Sequence, residues 1–395
     1  MEGFFVFNFP EWIATGVVIA LLTVQLLCYV ITYNRPYKKM KAKMRAADRN
    51  RGAETTPPVS VIVYTRNESY NLRKYLPSLL SQDYPSYEVI VINDGSTDES
   101  DDVLKLFEHD CPHLYHTFIP QESKYLSRRK LSLTLGIKAA KNDVLLFTEA
   151  DCHPISKDWI RAMVQNYTNG TSLVLGFCAY TEGEGFLHKL ISYDNLINGL
   201  EYISSALKNN PFGGNGKNLS YRKQLFFEHK GFSKSLSLHA GDDDLFVNET
   251  ANSLNTQVEY SKKSITKMAP VERFAIWKNM KISRAATQRH YKGWQLYFYR
   301  TEKAAFLLFL LAVITSIVLG LEGNLVVSGI ALVCYMLLFT IKAVVLKRSA
   351  TMLQQKMSIP LLPLLEIIQP LFDLYIYIYR LFRGKKDYTF TISNK

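Results

Sequence analysis

Three short, almost wholly apolar runs in this chain each end in carboxylates: VSVIVYTRNE (59–68), YEVIVIND (87–94) and DVLLFTEAD (143–151). Unbroken apolar runs of this length read as strands buried on both faces, as in a parallel sheet. Such sheets bind ligands where their strands reach their carboxyl ends. The runs therefore gather Glu68, Asp94, Glu149 and Asp151 along one edge. Carboxylates crowded in this way repel each other unless a metal or a ligand's donor groups satisfy them, which marks the edge as a candidate active site.

The spacing between the runs fits helices. The pattern predicts strand 59–64, helix 70–81, strand 87–92, helix 98–108, a weaker strand 114–119, helix 127–140 and strand 143–148. This alternation predicts an α/β fold with a mostly parallel sheet and right-handed crossovers. Beyond Asp151 the rhythm loosens into a helix 156–168, a strand 172–180, a long helix 185–208 and the glycine-rich stretch PFGGNGKNLSYRK (211–223).

Around this globular part, 57–300, the composition changes. Residues 12–33 carry no charge and span roughly 33 Å as a helix, enough to cross a bilayer. Residues 304–321 and 325–346 form two further candidates within a hairpin, 301–347. The segment 35–56 reads as a basic juxtamembrane linker, with eight Lys or Arg against one Asp in 34–51. By the positive-inside rule this places the anchor, 1–34, with its N-terminus outside and the globular part in the cytoplasm, in an integral protein of the cell's inner or plasma membrane. The net charge of +12 is concentrated in such blocks, which suit anionic lipid headgroups better than nucleic acid. The last segment, 348–395, holds prolines, Glu366, Gln369 and Asp373 within its apolar stretch 359–382, and reads as an interfacial or re-entrant helical pair with a basic tail. Five cysteines without metal-ligand spacing read as reduced thiols.

PVSVIVYTRNE, SLLSQDYPSYEVIVINDGSTDES, SRRKLSLTLGIKAAKNDVLLFTEAD, GGNGKNLSYRK and AGDDDL, in this order and spacing, resemble the motifs of family 2 glycosyltransferases over about residues 57–300. The resemblance implies a GT-A fold, inverting sugar transfer from a nucleotide-activated donor, and Mg²⁺ or Mn²⁺ as cofactor. Membrane-embedded members are similar in layout.

The motifs then take roles. Asp94, at a strand end in NDGSTD, is placed to accept a hydrogen bond from a base N–H, and Glu68 likewise to contact nucleotide. Glu149-Ala150-Asp151 stands where the family has its D-x-D. Carboxylates at i and i+2 on a strand end point the same way, so Asp151 becomes the metal ligand and Glu149 shares the metal or holds the donor. Lys130 matches the family's lysine on the preceding helix, in reach of nucleotide or phosphates. Gly214 and Asn215 belong to the acceptor-side loop.

Inversion requires a base opposite the leaving group. Aligned on Leu245, Asp242 falls on the family's catalytic aspartate, with Gly241 replacing the usual preceding Glu. A one-residue slip makes the base Asp243, and helix capping accounts for at least one of the three aspartates. The family's Q-x-x-R-W motif has two partial counterparts, Lys281 with Arg284 and Gln288 with Arg289 and Trp294, either of which offers cations for the diphosphate or an aromatic floor for the acceptor.

The expected activity is sugar transfer from a nucleotide-sugar donor to a hydroxyl of a lipid-linked or surface-glycan acceptor. A polyprenyl-phosphate sugar synthase is the enzymatic alternative, and a non-catalytic scaffold subunit is the alternative outside catalysis.

Overall fold

The computed structural model describes residues 7–47, 56–120 and 127–382. The core is a seven-stranded sheet whose first four strands in spatial order are β3 (Leu114–Phe118), β2 (Tyr87–Asn93), β1 (Val59–Thr65) and β4 (Val144–Glu149), all parallel. Next to β4 lie β8 (Leu219–Arg222), antiparallel, then β6 (Leu173–Leu175) and β9 (Thr256–Val258). The three carboxylate-tipped runs are thus adjacent. Register pairs Thr65 with Asn93 and Tyr64 with Glu149, so the strands end level and their carboxylates share one edge.

Period-two alternation sorts the strand residues onto two covered faces. Val61, Val63, Val89, Val91 and Leu146 pack with α3 (Ser69–Leu80), α4 (Ser100–Asp110) and α6 (Trp159–Val164). Ile62, Ile90, Ile92, Leu145 and Phe147 pack with α5 (Arg128–Ala139) and α7 (Gly185–Ala206). These side chains are almost wholly buried, each stabilising the fold by about 1.5–3 kcal/mol. Gly136 lets α5 lie close on the sheet: a Cβ there would fall 2.5 Å from Ile92 Cδ1. A Gly136→Val change would force that contact apart.

The expected single strand 172–180 is two strands in two sheets. The chain breaks step at Gly176, and β7 (Cys178–Tyr180) joins β5 (Cys152–Pro154) and β10 (Thr266–Met268) in a small three-stranded sheet. Gly176 is required there, since a Cβ would overlap Asn218 at 2.5 Å.

Among the described residues, four helices are long and apolar enough to cross a membrane. The first, α1 (Phe9–Leu27), is capped by Asn8 and Glu11 and continues through wider turns at Cys28–Tyr33 into α2 (Arg35–Ala47). The basic stretch is therefore helical through Ala47, and it docks on the globular part: Arg35 and Lys39 donate to the carbonyls of Ser204 and Leu207, and Lys43 pairs with Glu259. Toward the C-terminus α11 (Gln295–Glu322) and α12 (Leu325–Met352) pack against each other and against α1.

The stretch expected as a helical pair is one continuous helix, α13 (Leu362–Phe382), despite Pro370. Its polar residues face protein: Glu366 pairs with Lys342, Gln369 donates to Asp194, and Asp373 pairs with Lys281 and Lys303. This explains their presence in an apolar helix. The basic tail lies outside the described residues.

Candidate active site

At the edge where β1, β2 and β4 end, the first turn of α5 presents three consecutive cations, Arg128, Arg129 and Lys130. Successive helical residues point about 100° apart, so each goes to a different place. Arg128 Nε donates to Asp94 Oδ1 at 2.8 Å. Arg129 stacks over the Tyr64 ring and bridges two acids, Nε to Asp242 Oδ2 at 2.9 Å and Nη2 to Glu149 Oε1 at 2.5 Å. Lys130 turns inward and donates to the carbonyls of Ser235, Leu238 and Ala240.

Beyond β4, Lys217 lies between the paired carboxylates, its Nζ 2.6 Å from Asp151 Oδ2 and 3.0 Å from Glu149 Oε2. Burial alone would raise the Glu149 carboxyl, but Arg129 and Lys217 outweigh it and hold its pKa down at about 2. Burial likewise opposes the Lys217 ammonium, yet Asp151 and Glu149 hold its pKa well above the ordinary value.

The acidic run at 242–244 enters from the opposite side, just before α9 (Asp244–Thr250). Its three aspartates divide sharply. Asp243 Oδ1 accepts from the Asp244 N–H and its Oδ2 from the Gly216 N–H, so it caps the helix and ties down the glycine-rich loop. Asp244 accepts from the hydroxyls of Thr287 and Tyr291. Asp242 keeps Arg129 as its ion-pair partner and lines the cavity. Burial, with Asp244 and Asp242 close by, pushes the Asp243 carboxyl up to about 7. Gly241 adopts φ +99°, a left-handed conformation in which a side chain is strained, and this accounts for glycine where the family carries Glu.

These elements enclose a cavity of about 620 Å³. Of the residues singled out from sequence, it gathers Glu149, Gly214, Asn215, Asp242, Asp243, Lys281 and Arg284, and Asp151 joins it through Lys217. Lys281 and Arg284 stand at i and i+3 on α10 (Phe274–Thr287) and face the cavity together. Gln288 lies in a neighbouring cavity, while Arg289 and Trp294 are exposed. Of the two partial counterparts to the Q-x-x-R-W motif, then, only the first reaches the cavity.

Three other residues stand apart from it. Asp94 is 1% exposed, with Tyr64 and Arg128 on its two oxygens. Glu68 accepts from Asn71, and burial raises its carboxyl. Lys130, expected at nucleotide or phosphates, is spent on the loop before Asp242, and burial lowers its pKa to about 8.

Residues 60–229 match the family model for glycosyl transferase family 2. This segment is a family 2 glycosyltransferase domain. Over 135 residues it is 31% identical to glycosyltransferase AglE of Haloferax volcanii, a match covering 33% of this chain and 42% of that protein. Another relative, the GalNAc(5)-diNAcBac-PP-undecaprenol beta-1,3-glucosyltransferase of Campylobacter jejuni, is 27% identical over 192 residues, 49% of this chain and 59% of that enzyme. The chain thus spans less than two thirds of each. Among solved structures, the mannosyltransferase PcManGT from Pyrobaculum calidifontis, determined with GDP-Man and Mn²⁺, aligns with a TM-score of 0.54 at 17% identity, over 86% of this chain and 99% of that one. The glycosyltransferase domain therefore has a GT-A-type core.

Sequence reasoning missed Arg129 and Lys217, the two cations that organise the acids of this glycosyltransferase domain. Both lie inside quoted motifs, SRRK and GGNGKN. The signal available was charge: several carboxylates facing one cavity call for cations of the chain's own.

Proposed function

We propose that the chain is a membrane-embedded, inverting glycosyltransferase with its catalytic domain on the cytoplasmic side. It moves a sugar from a nucleoside-diphosphate sugar to a hydroxyl of a lipid-linked or surface-glycan acceptor. One observation carries this reading: Asp242 and Glu149, from distant parts of the chain, face one cavity and are held there by a single guanidinium.

Asp242 takes the proton of the acceptor hydroxyl as its oxygen attacks the anomeric carbon. The bond from that carbon to the diphosphate oxygen breaks, and the nucleoside diphosphate leaves. Arg129 fixes the direction of Asp242 and keeps it apart from Glu149. The Lys217 ammonium supplies charge beside the leaving phosphates, and Asn215 and Gly214 form the wall nearby. Asp94 and Glu68 recognise nucleotide from the level strand ends, with Arg128 giving up Asp94 to the base.

The donor set at Asp151 and Glu149 suits Mg²⁺ or Mn²⁺. Both are hard carboxylate ligands, and the pair already draws a cation, Lys217, between them. Such ions take one or two carboxylates and complete their shell with substrate phosphates and water. The chemistry supplied by an ion there is neutralisation of charge on the diphosphate.

The test is a thermal-stability screen of the full chain with nucleotide sugars and Mn²⁺, followed by assay of nucleoside diphosphate release. Stabilisation by one donor, with release on adding membrane glycolipid extract, is expected. A chain that binds no donor would be a scaffold subunit instead.

A further inference from the structure

Lys281 and Arg284 line not only the catalytic cavity but a second one, of about 350 Å³, between α11 and α13. Helix α11 contributes Leu296, Tyr299, Arg300, Lys303, Ala304 and Leu307, the three-and-four spacing of one face. That stripe runs about 16 Å along the axis at 1.5 Å per residue. Opposite it stand Pro370, Leu374, Ile376 and Tyr377 of α13. Both walls belong to helices of membrane-spanning length and hydropathy. The space begins beside the catalytic residues, is charged there, and continues among apolar side chains.

Its charged groups are mostly satisfied. Lys281 pairs with Asp194 and Asp373, Lys303 pairs with Glu201 and Asp373, and Arg300 donates to Gln288. Arg284 differs. Burial opposes its charge, while Tyr291, Asp244, Asp194 and Asp243 stand near enough to favour it and hold its pKa up. Among the described residues none of the three aspartates is in ion-pair contact with the guanidinium, and its Nε is buried without a hydrogen bond. Those acids stand off from the guanidinium, so its direct hydrogen-bonding positions are open to a ligand, and a guanidinium is suited to phosphate.

We propose that the second cavity holds the hydrocarbon chain of the acceptor and that Arg284 binds the phosphate joining this chain to its glycan. The acceptor is then an amphiphile of the prenyl-phosphate type, its sugar reaching Asp242 and its chain lying between α11 and α13. This inference rests on the glycosyl-transfer reading and narrows its acceptor. The donor's diphosphate is the other source of phosphate for Arg284, and the experiment separates the two.

The full chain in detergent is titrated with farnesyl phosphate, farnesol, inorganic phosphate and, with Mn²⁺, UDP or GDP. Nucleotide binding reports on the glycosyl-transfer reading, and prenyl-phosphate binding on this one. We expect farnesyl phosphate to bind at least tenfold tighter than either farnesol or inorganic phosphate. Arg284→Ala should weaken it at least tenfold. Ala304→Trp and Leu307→Trp, which fill the cavity, should do the same while leaving nucleotide binding within twofold. Nucleotide binding without a preference for farnesyl phosphate would overturn the proposal. So would an Arg284→Ala variant that loses nucleotide affinity and keeps farnesyl phosphate, because the guanidinium would then serve the donor.

Discussion

Arg129 and Asp242 are 113 positions apart in the chain and meet at 2.9 Å across the cavity. The same guanidinium reaches Glu149, so the candidate base and the acid at the end of β4 share one cation. This contact couples the first turn of α5 to the loop that brings in the acidic run.

Arg129→Lys keeps the charge and loses the planar fork that holds both acids. Displacing a reacting group by about 1 Å costs on the order of 100-fold in rate. We therefore expect kcat to fall about 100-fold, with donor affinity changed far less. Steady-state kinetics with the identified donor measure this split, and an unchanged kcat would show that the bridge does not position Asp242.

Lys217 lies between Glu149 and Asp151, the pair proposed to hold a divalent ion. In Lys217→Met this competitor is gone. The Mn²⁺ concentration giving half-maximal nucleotide binding should fall by roughly tenfold, equivalent to about 1.4 kcal/mol. Titration calorimetry of nucleoside diphosphate at graded Mn²⁺ gives the number. A weaker requirement for Lys217, seen as no change in the midpoint, would mean that its ammonium moves aside freely.

Asp243 predicts a pH dependence. Its carboxyl keeps its proton in the folded state up to about pH 7, whereas the unfolded chain releases it near the ordinary aspartate value. Between those limits the folded state binds more protons, so stability falls as pH rises from about 4 to 7. Asp243→Asn removes that slope. Urea denaturation at pH 5 and pH 7.5 should show a smaller loss in the variant than in the wild type, by about 2 kcal/mol. Equal losses would mean that Asp243 is ionised throughout.

Much of this fold is legible in the sequence because burial on both faces writes itself as unbroken apolar runs, and those runs lie side by side as β2, β1 and β4. The level strand ends follow from the same runs. The short strands β5, β7 and β10 are three residues each, too brief to carry a period, and the break at Gly176 depends on the later approach of Asn218. Site residues divide in the same way. Glu149, Asp151 and Asp242 are marked by motif and strand position, whereas the choice among Arg128, Arg129 and Lys130 depends on the rotational phase of α5, which its packing on Ile62 and Ile92 sets. The polar residues of α13 suggested a helix unsuited to lipid. Their partners, Asp194, Lys281, Lys303 and Lys342, lie on other helices that its sequence does not reveal.

Asp242 is the proposed base of the sugar transfer from nucleotide to acceptor. The most direct measurement compares wild type with Asp242→Asn for donor affinity and for single-turnover transfer to a membrane acceptor. With Asp242 as base, donor affinity stays within about twofold and transfer falls by roughly 10²-fold or more, the loss typical of removing a general base. Transfer that survives in Asp242→Asn would contradict it, and would point to an acceptor that needs no base, such as a lipid phosphate attacked through its own oxygen.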